Sequence, residues 1–287
     1  MKKLLWSLLL VSRIAQAQSN SQPEIYLLGS MHDMHMKADI RYSLIDLRHE
    51  VEAIHPDLVC VEIEPAAFNA PMEGYFPPEG AYLAALAPQM HTRVVPTDWR
   101  IATAWQNRAD QQIPPEQAKR IKDSQQTIAE RFKAAVDTPK VFEFVHGEMQ
   151  RIADEQFMNV IGEDNAADIS FGAWHERNRR IVENCLAASD GARKILFVYG
   201  GAHLPQLGRE MRDRGLISHL APKLYTPAGI SPVPAEVIAR WQRNLENLKA
   251  IRDGNLKTSI DNREKVKESN RIANLEEAIA VYSPRDQ

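Results

Sequence analysis

Cysteine is nearly absent: Cys60 and Cys185 are the only two in 287 residues, too few for a disulfide framework. Cys60 falls in an apolar, strand-like run and Cys185 on a helical one, so the expectation is two buried thiols behaving as small apolar groups. No segment reaches the roughly 20 consecutive apolar residues that a membrane-spanning helix needs. An excess of one charge is lacking too. The formal net charge is −3, and it becomes −6 once Lys2, Lys3 and Arg13 are removed, which excludes a nucleic-acid-binding surface.

The chain opens with Lys2 and Lys3, a largely apolar run over 4–11, and Ala15-Gln16-Ala17, an A-x-A cleavage pattern. This is the outline of a secretory signal peptide over 1–17, and it implies an exported chain, periplasmic or secreted. No cysteine lies near Ala17, which argues against a lipoprotein. Residues 18–230 are expected to form one α/β domain with a polar helical insertion at about 108–168. The charged, helix-prone residues 231–287 form a C-terminal extension, a candidate homo-oligomer contact.

The most informative stretch is Ile195-Leu196-Phe197-Val198-Tyr199-Gly200-Gly201-Ala202-His203. Five apolar residues predict a buried strand, and the glycine pair ends it. Glycine lets the backbone turn and approach other groups closely, so His203 can be aimed across the end of a sheet. The same order occurs near the start: Ile25-Tyr26-Leu27-Leu28-Gly29, two residues, then His32. Each is followed by a predicted helix (41–54 and 204–214) and a further strand (58–63 and 223–225). The expected fold is therefore α/β: a central, largely parallel sheet with flanking helices, built from a duplicated strand, G-x-x-H, helix, strand unit. Parallel strands joined by helical crossovers bring both histidines to one edge, where open α/β sheets bind ligands.

Acidic and basic residues at the ends of apolar runs are the remaining site candidates. Glu62 and Glu64 share one face at the end of the second strand, and a carboxylate there needs a metal, arginine or histidine partner. Glu64 precedes Pro65 and has an exposed position as its alternative. Asp98 ends a third strand beginning at Arg93, and it is equally read as an N-cap for the segment after it. A helix over 166–188 places Arg177 on the side of Trp174 and Ile181, so its guanidinium requires an inward acid or ligand. Met31-His32-Asp33-Met34-His35-Met36 has the donor types that suit copper, although the preferred expectation is Met34 and Met36 packed under a loop and His35 solvated. His49 and His55 are expected at the surface, and His146 as structural or exposed. The aromatic loop at 75–80 either borders a pocket or covers the core.

Taken together, two G-x-x-H turns, a glutamate ending the second strand, and Arg177-Asn178 on the helix before the second G-x-x-H strand resemble the TraB/PrgY/Tiki family. Its superfamily also includes erythromycin esterases and ChaN-like haem-binding proteins. The resemblance covers about 24–225 and implies functional positions at Gly29, His32, Glu62, Arg177, Asn178, Gly200 and His203, with Gly201 beside them. Glu62-Ile63-Glu64 stands where family members often have Glu-Leu-Asp. The membrane segments of many members are lacking.

Two imidazoles and a carboxylate at a sheet edge suit a divalent ion (manganese, cobalt or zinc) held by His32, Glu62 and His203, with a position left for water. Glu64 or Glu62 would take the water's proton while Arg177 and Asn178 stabilise an oxyanion, so hydrolysis of a peptide or ester bond is expected. The erythromycin esterase resemblance allows a metal-free version with a histidine base. The alternative is a periplasmic carrier of haem or copper, with Tyr199 or the methionine-rich run as further ligands.

Overall fold

The computed structural model describes residues 22–37, 40–69, 78–228, 231–256 and 270–283. The signal-peptide expectation at 1–17 and the loop residues 75–77 lie outside these. In chain order, β1 (Glu24–Ser30) leads through a 3-10 turn, His32–Met36, to α1 (Leu44–Ile54) and β2 (Leu58–Val61). Next come α2 (Pro65–Asn69), α3 (Pro78–Met90) and β3 (Arg93–Pro96). The insertion is helical throughout: α4 (Thr103–Asp110), α5 (Pro115–Ala135), and α6 (Val141–Glu143), which continues through a π-helical turn into α7 (Met149–Gln156). After α8 (Ala166–Ser170) and α9 (Trp174–Ala187), β4 (Lys194–Gly200), α10 (Leu204–Asp213) and β5 (Ser218–Leu220) complete the sheet. Last are α11 (Ala235–Arg252) and α12 (Arg271–Tyr282).

The expected α/β architecture is present. All five strands are parallel, in the order β3-β2-β4-β1-β5. From β1 the chain passes β4 to reach β2, and from β4 it passes β1 to reach β5. The two crossings use opposite faces. Leu28, Val59, Val61, Leu196 and Val198 pack with α1 and α3 on one side, while Ile25, Leu27, Cys60, Phe197 and Tyr199 pack with α9 and α10 on the other. Burial of both faces explains why the central strands read as continuous apolar runs rather than alternating ones. Helix α1 starts cleanly because Ser43 and Asp46 form a reciprocal capping box.

Several expectations need correction. The two cysteines are not free thiols: Cys60 and Cys185 form a disulfide, with Cα atoms 5.9 Å apart and a sequence separation of 125. Strand and helix meet face to face there, a proximity that spacing in sequence does not reveal. The last strand is Ser218–Leu220, not 223–225. The backbone N–H groups of Leu224 and Tyr225 donate instead to the carboxylate of Glu50 on α1, which removes them from any ladder. The helix expected over 166–188 is broken between Ser170 and Trp174, where Gly172 and Ala173 both adopt positive φ, 88° and 53°. Asp98 caps no helix, since α4 begins at Thr103 without a side-chain cap. In the C-terminal extension α11 and α12 are present as helices, and Trp241, Leu248, Ile251, Leu275 and Tyr282 belong to the same apolar cluster as α1.

A disulfide closing so long a loop restricts the unfolded chain strongly. Reduction, or the double change Cys60→Ala with Cys185→Ala, should lower the unfolding free energy by about 2–5 kcal/mol. Urea midpoints with and without reductant measure it. Coincident curves would mean that the bond adds nothing.

Candidate functional site

Strands β1 and β4 are neighbours, with Gly29 opposite Tyr199 and Ser30 opposite Gly200. The two histidine turns therefore leave the sheet side by side. The approach is so close that a Cβ on Gly200 would sit 2.6 Å from His32 Nε2 and 3.3 Å from Glu62 Oε2. At Gly29 the pressure comes from the insertion, where a Cβ would lie 2.7 Å from Val145 Cγ1. His32 itself is held at a φ of 52°, a left-handed conformation uncommon for a side chain of its size.

Glu62 is the centre of the cluster. It is buried just beyond the end of β2, and its Oε2 accepts the Gly200 N–H at 2.8 Å while Oε1 accepts from Arg177 Nη2 at 2.9 Å. Arg177 is in turn gripped by Asp98, with Nε donating to Oδ1 and Nη2 to Oδ2, each at 2.8 Å. Asp98 also accepts from Arg100 Nε and from the Trp99 N–H, so the fork is fixed on both sides. Burial by itself would raise the Glu62 pKa, yet His32, His203 and Arg177 hold it well below the ordinary carboxylate range. Asp98 is likewise lowered, because Arg177 and Arg100 outweigh its burial.

The histidines flank this carboxylate. Asn178 Nδ2 donates to the Trp174 carbonyl at 2.7 Å, which leaves Oδ1 to accept from His203 Nδ1 at 2.8 Å. The hydrogen of a neutral His203 is thus on Nδ1, and Nε2 is an acceptor 3.6 Å from Glu62 Oε1. Trp174 stacks on the ring with centroids 4.2 Å apart. Burial lowers the His203 pKa, against the opposing pull of Glu62. On the other side His32 Nδ1 meets Glu79 Oε1 at 2.9 Å, and its Nε2 lies 3.7 Å from Glu62 Oε2. Burial would lower this pKa as well, but Glu62 and Glu79 together push it up to about 9.

Glu79 is the site residue that the sequence reading missed. It is a buried acid in the first turn of α3, also bonded to the Ser30 hydroxyl at 2.5 Å, and its signal was an isolated carboxylate ahead of an apolar helix. Glu64 is half-buried and outside the cleft lining; burial raises its pKa, against the pull of the nearby Arg100 and Arg177. His35 is not solvated. It is fully buried, accepting from the Met31 N–H at Nε2 and donating to the Tyr42 carbonyl from Nδ1, so both nitrogens are occupied and neither is free for copper. His146 is structural, since Nε2 accepts from the Gly29 N–H and Nδ1 bonds the Phe142 carbonyl. Tyr199 hydroxyl engages Thr97 and the Val61 carbonyl. His49 and His55 are exposed.

Above the cluster opens a cleft of about 510 Å³, floored by His32, Glu62, Arg177, Gly200, Gly201 and His203. Its walls come from the insertion, chiefly α5 and α7. The donor types His32, Glu62 and His203 match a divalent ion in kind. Among the described residues no group of three histidine, cysteine, aspartate or glutamate side chains that could hold an ion is found, and both Glu62 oxygens accept hydrogen bonds.

The sign of the His32 shift sets a pH dependence. Its folded pKa exceeds the ordinary 6.5, so the stabilisation from protonated His32 is complete below about pH 6.5 and is lost as pH rises through about 9. NMR titration of the imidazole should give a midpoint near 9, moving down in Glu79→Gln; a native midpoint near 6.5 would refute the assignment. No family model, curated protein or solved structure matches this chain.

Proposed function

We propose that this chain is a hydrolase that activates a water molecule between His203 and Glu62 and cleaves an ester or amide bond. One observation carries the proposal. His203 Nε2 and Glu62 Oε1 are both acceptors, both buried, and 3.6 Å apart, too far for a hydrogen bond and too close to be indifferent. Something bearing a proton or positive charge belongs between them. Protonating His203 is opposed by its burial, so a water O–H shared by the two acceptors is the economical occupant.

In the proposed reaction His203 Nε2 removes a proton from that water as its oxygen attacks the carbonyl carbon. Asn178 keeps the ring in the required tautomer and accepts from the Nδ1–H of the imidazolium that forms, as a positioning residue. Protonated His32 faces the same space and stabilises the oxyanion. When the tetrahedral adduct collapses, His203 returns its proton to the departing oxygen or nitrogen. Arg177 and Asp98 touch no reacting atom; they hold Glu62 charged and in place.

The TraB/Tiki resemblance supplies the same residues and suggests manganese, cobalt or zinc; the proposed route needs none, because Glu62 is already engaged by Arg177 and Gly200. A haem or copper carrier would have to use His32 or His203, since His35 and Tyr199 are committed elsewhere.

A panel of p-nitrophenyl esters and peptide anilides tests the proposal. His203→Ala should reduce kcat/KM by about 10²–10⁴-fold, and Asn178→Ala by about 10–100-fold with the acid limb of the pH profile displaced downward. Chelator should leave the rate unchanged. Elemental analysis and an absorption spectrum on the same samples complete the test: stoichiometric metal whose removal abolishes turnover, or a haem band lost in His203→Ala, would overturn it.

A further inference from the structure

Gln156, at the end of α7, is 1% exposed, lines the cleft, and has no hydrogen-bond partner at either Oε1 or Nε2. A buried carboxamide with both ends unmatched is costly, and native proteins rarely keep one without cause. Local backbone geometry points to design. π-Helical turns, Phe144–Glu148 and Phe157–Ile161, bracket α7, and such insertions re-aim helix faces, often at functional sites. Within α7 Met149 and Gln156 are seven residues apart and so share one face, and both line the cleft. The helix is pinned to the catalytic edge by Gln150, whose Nε2 donates to the Gly201 carbonyl.

The remaining wall is almost entirely apolar: Met34, Ile128, Phe132, Met149, Phe171 and Trp174. A cleft of this size and character is that of a small-molecule site, in which a few polar groups fix orientation. A carboxamide offers one donor and one acceptor. Its complement is a group with one acceptor and one donor on the same side, which is a primary amide; a trans secondary amide points them in opposite directions.

We infer that Gln156 is a specificity residue that pairs with an amide of the ligand while the apolar wall takes a hydrocarbon chain attached to it. The ligand class is a primary carboxamide with an apolar chain. This rests on the proposed hydrolytic site for its biological meaning, but binding can be read without turnover.

The test is isothermal titration of the full chain with heptanamide and with 2-octanone, which has the same shape and no N–H. The native protein should bind the amide at least about tenfold more tightly than the ketone. Gln156→Leu, of similar volume, should erase that preference and at the same time raise the Tm of the free protein by about 2–4 °C, because an unmatched polar group has been removed. A structural Gln156 would give the opposite, a lower Tm with the preference intact. Ile128→Asp, on the half-exposed face of α5, should weaken both ligands at least about tenfold. Equal binding of the two ligands, a preference retained in Gln156→Leu, or unaltered binding in Ile128→Asp would each overturn the inference. Amide binding with these dependences in a protein that hydrolyses nothing would leave it standing and remove only the hydrolase.

Discussion

A carboxylate buried at the end of a sheet must be neutralised, and the neutralisation of Glu62 dictates much of what surrounds it. Its position between two histidines and an arginine would be untenable if any partner were misplaced, since removing one member of a buried ion pair typically costs about 3–5 kcal/mol. Arg177 is in turn held by Asp98 from a different strand, and Asp98 by Arg100. The charge network therefore joins β2, the β3 end and α9 into one unit. The lowered carboxylates and raised arginine are consequences of that mutual holding, not of exposure to solvent.

Covalent and steric constraints reinforce the same geometry. The Cys60–Cys185 bond links the strand that runs into Glu62 with the helix that carries Arg177 and Asn178. Cys60 precedes Glu62 by two residues, and both side chains engage α9, one through the disulfide and the other through Arg177. On the adjoining strands, Gly200 and Gly29 are small because His32 and the insertion press against them. The register of β1 against β4 then settles where the histidines emerge. Site and scaffold are not separable here: the sheet order that buries the core also brings the imidazoles to one carboxylate.

Much of this was legible in the sequence because polar residues stood at the ends of apolar runs. Glu62, Asp98, His32 and His203 each interrupt such a run, and Arg177 and Asn178 sit beside an apolar helix face, so elementary cost arguments find them. Glu79 escaped since its partners, Ser30 and His32, are nearly fifty residues away, and a glutamate in a helix's first turn is ordinary. The disulfide escaped for the same reason at greater range. His35 was misjudged because a motif gives donor types and not their occupancy; its two nitrogens are consumed by Met31 and Tyr42. The strand expected near Tyr225 failed when the Glu50 carboxylate took the N–H groups that a ladder would have used.

Several features that local rules disfavour lie around the cleft. His32 and Ala173 adopt left-handed backbone conformations, Gln156 has an unmatched carboxamide, and Glu79 keeps Oε2 without a partner. Such features persist only where surrounding structure over-determines them, and each tends to cost stability. They are distributed over four separate segments, the β1 turn, α3, α7 and the α9 start, which converge at the cleft. Comparable features occur elsewhere, among them the left-handed His55, His91 and Asp164 and the unmatched Tyr82 hydroxyl, so number alone decides nothing. Those at the cleft differ in sharing one surface, and their cost is offset by the disulfide and by the core shared by α1, α11 and α12.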